Sequence, residues 1–294
     1  MRRAVIALGM VVTALAGCAN HYLIHPRDPA PDVVTWSADF ARDELQVHVE
    51  GARPRGAGPF PTVLVHAEED ETAAEMRGVI LDLAARGYVA IAADYRRWLE
   101  GKFRRNWFSW RSTHDVTLPL DVTRAYPEVD QSRIGALGFS EGAVLSLLMA
   151  AHEPDRIKAV VAYYPITDFP HWYDGKRSGP FSWFMFELAR WQLRVEAGAK
   201  DKDDFERMMR LASPLYMAEF VRAPVLLIHG ADDQMALLEE SERMAERLKA
   251  SSDTTELLVV PDAGRLFNFH EKQQASVAWN AALEWLDRYL RRAG

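Results

Sequence analysis

The sequence predicts an α/β fold, a mostly parallel central sheet with helices on both faces. Three observations predict it. Short apolar runs alternate with amphipathic helical patterns along most of the chain. One run, residues 134–137, ends in Gly138-Phe139-Ser140-Glu141-Gly142, and a helical pattern follows at once through Val144, Leu147, Leu148 and Ala151. The alternation breaks only between Ile166 and Arg222, where helical patterns occur with no strand between them.

A chain of 294 residues can bury one large core. Its 49% apolar and 26% charged residues are those of a globular protein, which excludes disordered and fibrous classes. A formal net charge of −7 argues against a general nucleic-acid binder. Arg2 and Arg3 precede the apolar run 4–16, and Leu15-Ala16-Gly17-Cys18 follows. This is the layout of a secretory signal, too short for a comfortable membrane span. Leu-Ala-Gly-Cys resembles the lipobox of bacterial lipoproteins, in which the cysteine is lipidated and becomes the first residue. Cys18 is the only cysteine, so no internal disulfide can form and lipidation is the expected role; an ordinary signal cleaved after Ala19 is the alternative. The residue after Cys18 is not aspartate, which by the same resemblance implies the outer membrane, facing the periplasm. Residues 1–17 are thus expected to be a lipoprotein signal, 18–32 a tether with three prolines, and 33–294 one domain.

Within that domain, residues 33–40 and 45–50 alternate apolar and polar side chains and predict an antiparallel pair. Residues 62–66 read as a buried strand, 72–86 as a helix closed by Gly87, and 88–93 as the next strand. A weaker helix spans 114–126. After residue 152 come strands at 157–163, 225–229 and 256–260, a helix at 235–248 between the last two, and a final helix at about 271–291. Helices at 181–196 and 203–211 form an expected cap, inserted at about 167–222.

Strand, sharp turn and helix with serine at the apex is the context of a nucleophile elbow. Gly138 and Gly142, lacking Cβ, let strand and helix approach while Ser140 is held out. A serine hydroxyl needs a base, a group that orients the base, and donors for the oxyanion. The expected order along the chain is serine, acid, histidine. Asp233, on the loop leaving strand 225–229, fits the acid better than Asp232. The oxyanion donors would be the N–H of Glu141 and one from Glu68 or Glu69.

With these residues the chain resembles the dienelactone-hydrolase and prolyl-oligopeptidase-like branches of the α/β-hydrolase superfamily. Val63-Leu-Val-His-Ala-Glu-Glu, Arg86-Gly-Tyr-Val-Ala-Ile-Ala-Ala-Asp-Tyr, Ser213-Pro214 and Ala223-Pro-Val-Leu-Leu-Ile-His-Gly carry the likeness beyond the elbow. The resemblance implies an ester-cleaving serine enzyme, a small-molecule ester substrate, no cofactor, and a glutamate near the nucleophile at about Glu68. It also implies a histidine in a loop reading roughly Pro-Gly-Ala-Gly-His-x-Phe. This chain reads Pro261-Asp-Ala-Gly-Arg265-Leu-Phe267 there. An arginine, with a pKa above about 12, cannot take a proton from serine. His270 is the nearest substitute base and is the expected one; Arg265 would pair with Asp233. His66 and His229 follow strands and are expected to shape turns.

Two readings therefore stand: a serine esterase acting through Ser140, Asp233 and His270, or a relative that keeps the fold and has lost the base. The substrate of the first would be apolar or anionic. Residues 96–111 interleave six basic residues with Trp98, Phe103, Trp107, Phe108 and Trp110, as for an anionic ligand or a lipid surface. The cap is rich in aromatics, including Trp172, Trp183, Phe184 and Trp191. No metal is expected, because no cluster has ligand spacing.

Overall fold

Val/Ile/Leu/Ala runs pair into one eight-stranded sheet among the residues that the structure, a computed structural model, describes: 23–42, 45–68, 71–94, 98–99, 102–103, 113–175, 180–196, 198–251 and 254–291. The strands are β1 (Val33–Arg42), β2 (Leu45–Pro54), β3 (Phe60–His66), β4 (Val89–Ala93), β5 (Val129–Phe139), β6 (Ile157–Tyr163), β7 (Val225–Gly230) and β8 (Thr255–Val260). Their order across the sheet is β1-β2-β4-β3-β5-β6-β7-β8. β1 and β2 pair antiparallel, as do β2 and β4; every other pair is parallel. The central strands β3, β4 and β7 are buried on both faces along nearly their whole length, which is why they read as continuous apolar runs.

Two helical layers cover the sheet. α1 (Arg77–Ala85) and α9 (Lys272–Leu286) lie on one face, with Val79, Ile80, Leu83, Trp279, Ala282 and Leu286 buried. On the other lie α2 (Thr113–Val122), α3 (Glu141–His152) and α7 (Leu238–Lys249). The cap joins this second side: α4 (Phe169–Asp174), α5 (Pro180–Glu196) and α6 (Lys202–Leu211) follow β6 with no strand among them, and Phe186, Leu193, Phe205 and Met208 pack into the same core as α3. A single turn, α8 (Phe267–His270), precedes α9.

The architecture is the expected one, with four local differences. The strand leading to Ser140 is longer, beginning at Val129. The helix expected from 235 begins only at Leu238, because Asp233 holds the turn before it: its Oδ1 accepts from Met235 N at 2.8 Å and Ala236 N at 3.0 Å. The last helix changes to a π-helical turn at Asp287–Arg291. The described part of the expected tether, 23–32, is not free chain: His25 meets Asp82 of α1 and Trp279 of α9, and Ile24 and Ala30 pack against the core on this face. Cys18, Glu69, and the basic aromatic stretch apart from the short pairing of Trp98–Leu99 with Lys102–Phe103 lie outside the described residues.

Candidate active site

β5 ends at Phe139 and α3 begins at Glu141, so Ser140 alone makes the turn between them. Its φ of 51° and ψ of −111° is a conformation that L-residues rarely adopt, and it persists only where the surroundings enforce it. They do so here. Ser140 N donates to Tyr163 O on β6 at 2.9 Å, and Ser140 O accepts from Ala143 N and Val144 N in the first turn of α3. A Cβ on Gly138 would run into the Gly142 carbonyl, and one on Gly142 into the carbonyls of His66 and Ala67. Only glycines allow β3, β5 and α3 to meet this closely. The Glu141 N–H opens α3, where backbone amides have no intrahelical acceptor and the helix dipole favours negative charge.

His66 is the register partner of Gly138, so the loop leaving β3 runs beside the elbow and brings Glu68 to Ser140. Gly230 does the same for the last loop. Without a Cβ it accepts the Ala263 carbonyl against it, and Asp232 N donates to Ala263 O at 2.9 Å. The loop after β8 is thereby laid across the end of β7, and Arg265 extends over the elbow.

Arg265 occupies the space between serine and acid. Its Nη2 donates to Ser140 Oγ at 2.5 Å, its Nη1 lies 3.4 Å from Asp233 Oδ2, and its Nη2 lies 3.7 Å from Glu68 Oε1. The guanidinium carbon stands 5.6 Å from the centroid of the Tyr164 ring, a cation–π distance. Tyr164, itself at a φ of 39°, is held by its hydroxyl on Asn268 Oδ1 at 2.6 Å. The arginine therefore sits in a fitted cradle of two carboxyls, a hydroxyl and a ring.

Each expected site residue can now be placed. Ser140 and Asp233 are buried and brought together; Asp232 is exposed. Arg265 is bound to Asp233, as expected, and to Ser140 as well. His270 is not at the site: it is the exposed last residue of α8, and the hydrogen bond expected from it is supplied by Arg265. The reason is local. Leu266 turns the chain at a φ of 64°, and Phe267, Asn268 and Phe269 then take the inward positions of a single helical turn. His229 is tied to Ser241 Oγ at 2.7 Å and Ala236 O at 2.8 Å, and His66 to Ser146 Oγ at 2.8 Å. Burial lowers both imidazoles, that of His66 to about 3, so they are neutral supports for their turns.

The Glu68 carboxyl lies near the nucleophile, where the resemblance implied a glutamate. Burial pushes it up to about 8; the charges of Glu71 and Asp233 add to this, while Arg265 and a hydrogen bond with Ser140 oppose it. Tyr164 and Asn268 carried no sequence signal, because they act only through the arginine they cradle. Among the described residues no group of three His, Cys, Asp or Glu side chains could hold a metal ion.

Comparison with known proteins bears on the family and the fold. The prolyl oligopeptidase family matches residues 76–293. The peptidase YtmA of Bacillus subtilis (strain 168), described as uncharacterised, is 27% identical over 222 residues, covering 75% of this chain and 82% of that one. An Escherichia coli (strain K12) protein named provisionally as a carboxymethylenebutenolidase is 27% identical over 260 residues, 81% of each chain. The crystal structure of a protein from Klebsiella pneumoniae, named provisionally as a dienelactone hydrolase, superposes with a TM-score of 0.64 at 23% identity, covering 87% of this chain and 99% of that one. With the elbow, the acid loop and the matched span all falling on the same sheet, this chain belongs to the prolyl oligopeptidase family of α/β-hydrolases.

Proposed function

We propose that this protein is a serine hydrolase of carboxylic esters that works through an acyl-enzyme on Ser140, with Glu68 as the proton acceptor. The observation that carries the reading is one guanidinium nitrogen shared by two groups: Arg265 Nη2 donates to Ser140 Oγ and lies 3.7 Å from Glu68 Oε1. A guanidinium on the oxygen favours the developing negative charge while a carboxylate takes the proton. Ser140 Oγ attacks the ester carbonyl carbon as its proton passes to Glu68. The tetrahedral oxyanion meets the N–H of Glu141, and the alkoxide leaves with the proton that Glu68 received. Glu68 then accepts a proton from the water that attacks the acyl-enzyme and returns it to Ser140 Oγ as the acid departs. Asp233 neutralises and orients Arg265, the part it would play for a histidine.

The names of the relatives support a hydrolase acting on a small-molecule ester. The motif at Cys18 supports lipid attachment to the bacterial outer membrane on its periplasmic side.

Arg265 favours a second reading, in which the fold is retained for binding and Ser140 is held by an arginine that cannot serve as a base. One experiment separates the two. The mature protein is treated with a fluorophosphonate, and p-nitrophenyl acetate turnover is followed, beside Ser140→Ala. Labelling and turnover that vanish in the variant support the hydrolase; their absence from the unaltered protein leaves the binding reading.

A further inference from the structure

The residues just before β1 decide how an anchored molecule can sit on its membrane. His25 is almost wholly buried: its Nδ1 lies 3.4 Å from Asp82 Oδ2 on α1, and its ring meets Trp279 of α9 edge-on with centroids 4.6 Å apart. Asp82 also accepts from Trp279 Nε1 at 2.6 Å and Arg86 Nε at 3.1 Å, so the histidine closes a network that joins both helices. Ile24 and Ala30 pack against the same core, Val33 N donates to Ala30 O, and Arg55 N donates to Asp32 O. The arm is fastened to α1 and α9 at His25 and to the end of β2 at Asp32.

Among the described residues, no helix is long and apolar enough to cross a membrane. Exposed aromatics alone would point to the cap, where α5 carries Trp183, Phe184 and Trp191, each about half exposed. The cap, however, packs on the opposite side of the sheet from α1 and α9. The two surfaces cannot both be reached from Cys18. Six residues lie between it and His25, and the seven steps span at most about 25 Å when fully extended, whereas a domain of this length is about 45 Å across.

We propose that the α1/α9 face is the surface this protein turns to the lipid bilayer, and that the aromatic cap faces away from it. The inference rests on lipid attachment at Cys18. Arg86, Arg288 and Arg291 stand half-exposed on this side, where headgroups are anionic. Each already has a carboxylate partner, so the docked arm and not net charge sets the orientation.

The test uses the full chain, processed in a Gram-negative host and reconstituted into phosphatidylethanolamine/phosphatidylglycerol vesicles that carry an acceptor dye on their headgroups. Donor dyes are placed on Val277→Cys, on the outer side of α9, and on Phe184→Cys, on the cap; both positions are about half exposed. A several-fold stronger energy transfer from position 277 than from 184 is expected. In His25→Ala/Asp82→Asn, which frees the arm, the difference shrinks while retention on the vesicles is unchanged. Equal transfer from both positions, or stronger transfer from the cap, in a protein that stays on the vesicles overturns the orientation alone. Retention of Cys18→Ala equal to that of the unaltered chain, or no retention of the unaltered chain, overturns the anchor and the orientation with it.

Discussion

Arg265 Nη2 lies 2.5 Å from Ser140 Oγ, in the space a base would fill between the nucleophile and Asp233. The guanidinium is not a stray surface group folded inward. Asp233, Glu68 and the Tyr164 ring surround it, and Gly230 makes room for the loop that delivers it. In the mechanism proposed above, a cation that cannot lose its proton leaves the carboxyl of Glu68 as the acceptor.

Arg265→His tests that register directly. An imidazole placed between Ser140 and Asp233 can accept the serine proton, and a positioned general base contributes on the order of 10²–10⁴-fold. Ester turnover should rise towards that range, with a pH profile set by the new histidine. A rate equal to that of the unaltered protein shows that residue 265 does not stand where the base must.

Glu68→Gln keeps the shape of the side chain and removes the acceptor. Turnover should fall by on the order of 10²-fold or more. In the unaltered protein the active form is the carboxylate, whose fraction grows as pH rises through about 8, so the rate should climb from pH 6 to pH 9. That limb should be missing from Glu68→Gln. A profile that is flat in both proteins removes Glu68 from the mechanism.

His66 supplies a prediction about stability. Its folded-state value is lowered to about 3, so the buried ring stays neutral while the unfolded chain takes up a proton below about 6.5. Its contribution is complete above that pH. As pH falls towards 3, it is lost at up to roughly 1.4 kcal/mol per unit. Urea unfolding from pH 7 to pH 4 should show a shallower decline for His66→Asn than for the unaltered protein. Parallel declines mean that His66 is not the group responsible.

Gly142 and Gly264 form a matched pair for the elbow. A Cβ on Gly142 collides with the backbone carbonyls of His66 and Ala67, whereas nothing lies within 4 Å of one on Gly264. Gly142→Ala should cost about 1–3 kcal/mol or more, since backbone cannot step aside as a flexible side chain can. Gly264→Ala should stay within about 0.5 kcal/mol of the unaltered protein. Thermal unfolding of the two variants checks both, and an undisturbed Gly142→Ala would mean that α3 and β3 are not as close as described.

Much of the fold was legible in the chain because the relevant patterns are local. Residues 157–163 are apolar enough to be a buried strand wherever they fall, and Gly138 and Gly142 flank the only residue that turns strand into helix. The cap was legible for the same reason, as helical periodicity without an intervening strand. His270 was not. Its place depends on Phe267 and Phe269 taking the inward positions of a four-residue turn, a competition that spacing along the chain does not display. The arm around His25 escaped similarly: three prolines imply loose chain, and only α1 and α9 standing side by side create the Asp82–Trp279 seat.

By itself, the sequence determined the α/β architecture, the serine at its elbow, the acid that follows β7, and the arginine in the last loop. Each depends on residue types at short, fixed spacings, where local propensity and backbone geometry suffice. Only the tertiary structure decided what those groups do to one another. It set Arg265 on Ser140, drew the Glu68 carboxyl into the same contact and left His270 outside. Those outcomes follow from the sheet order β3-β5-β6-β7-β8, which brings together at one end of the sheet loops as far apart along the chain as those of Glu68 and Arg265.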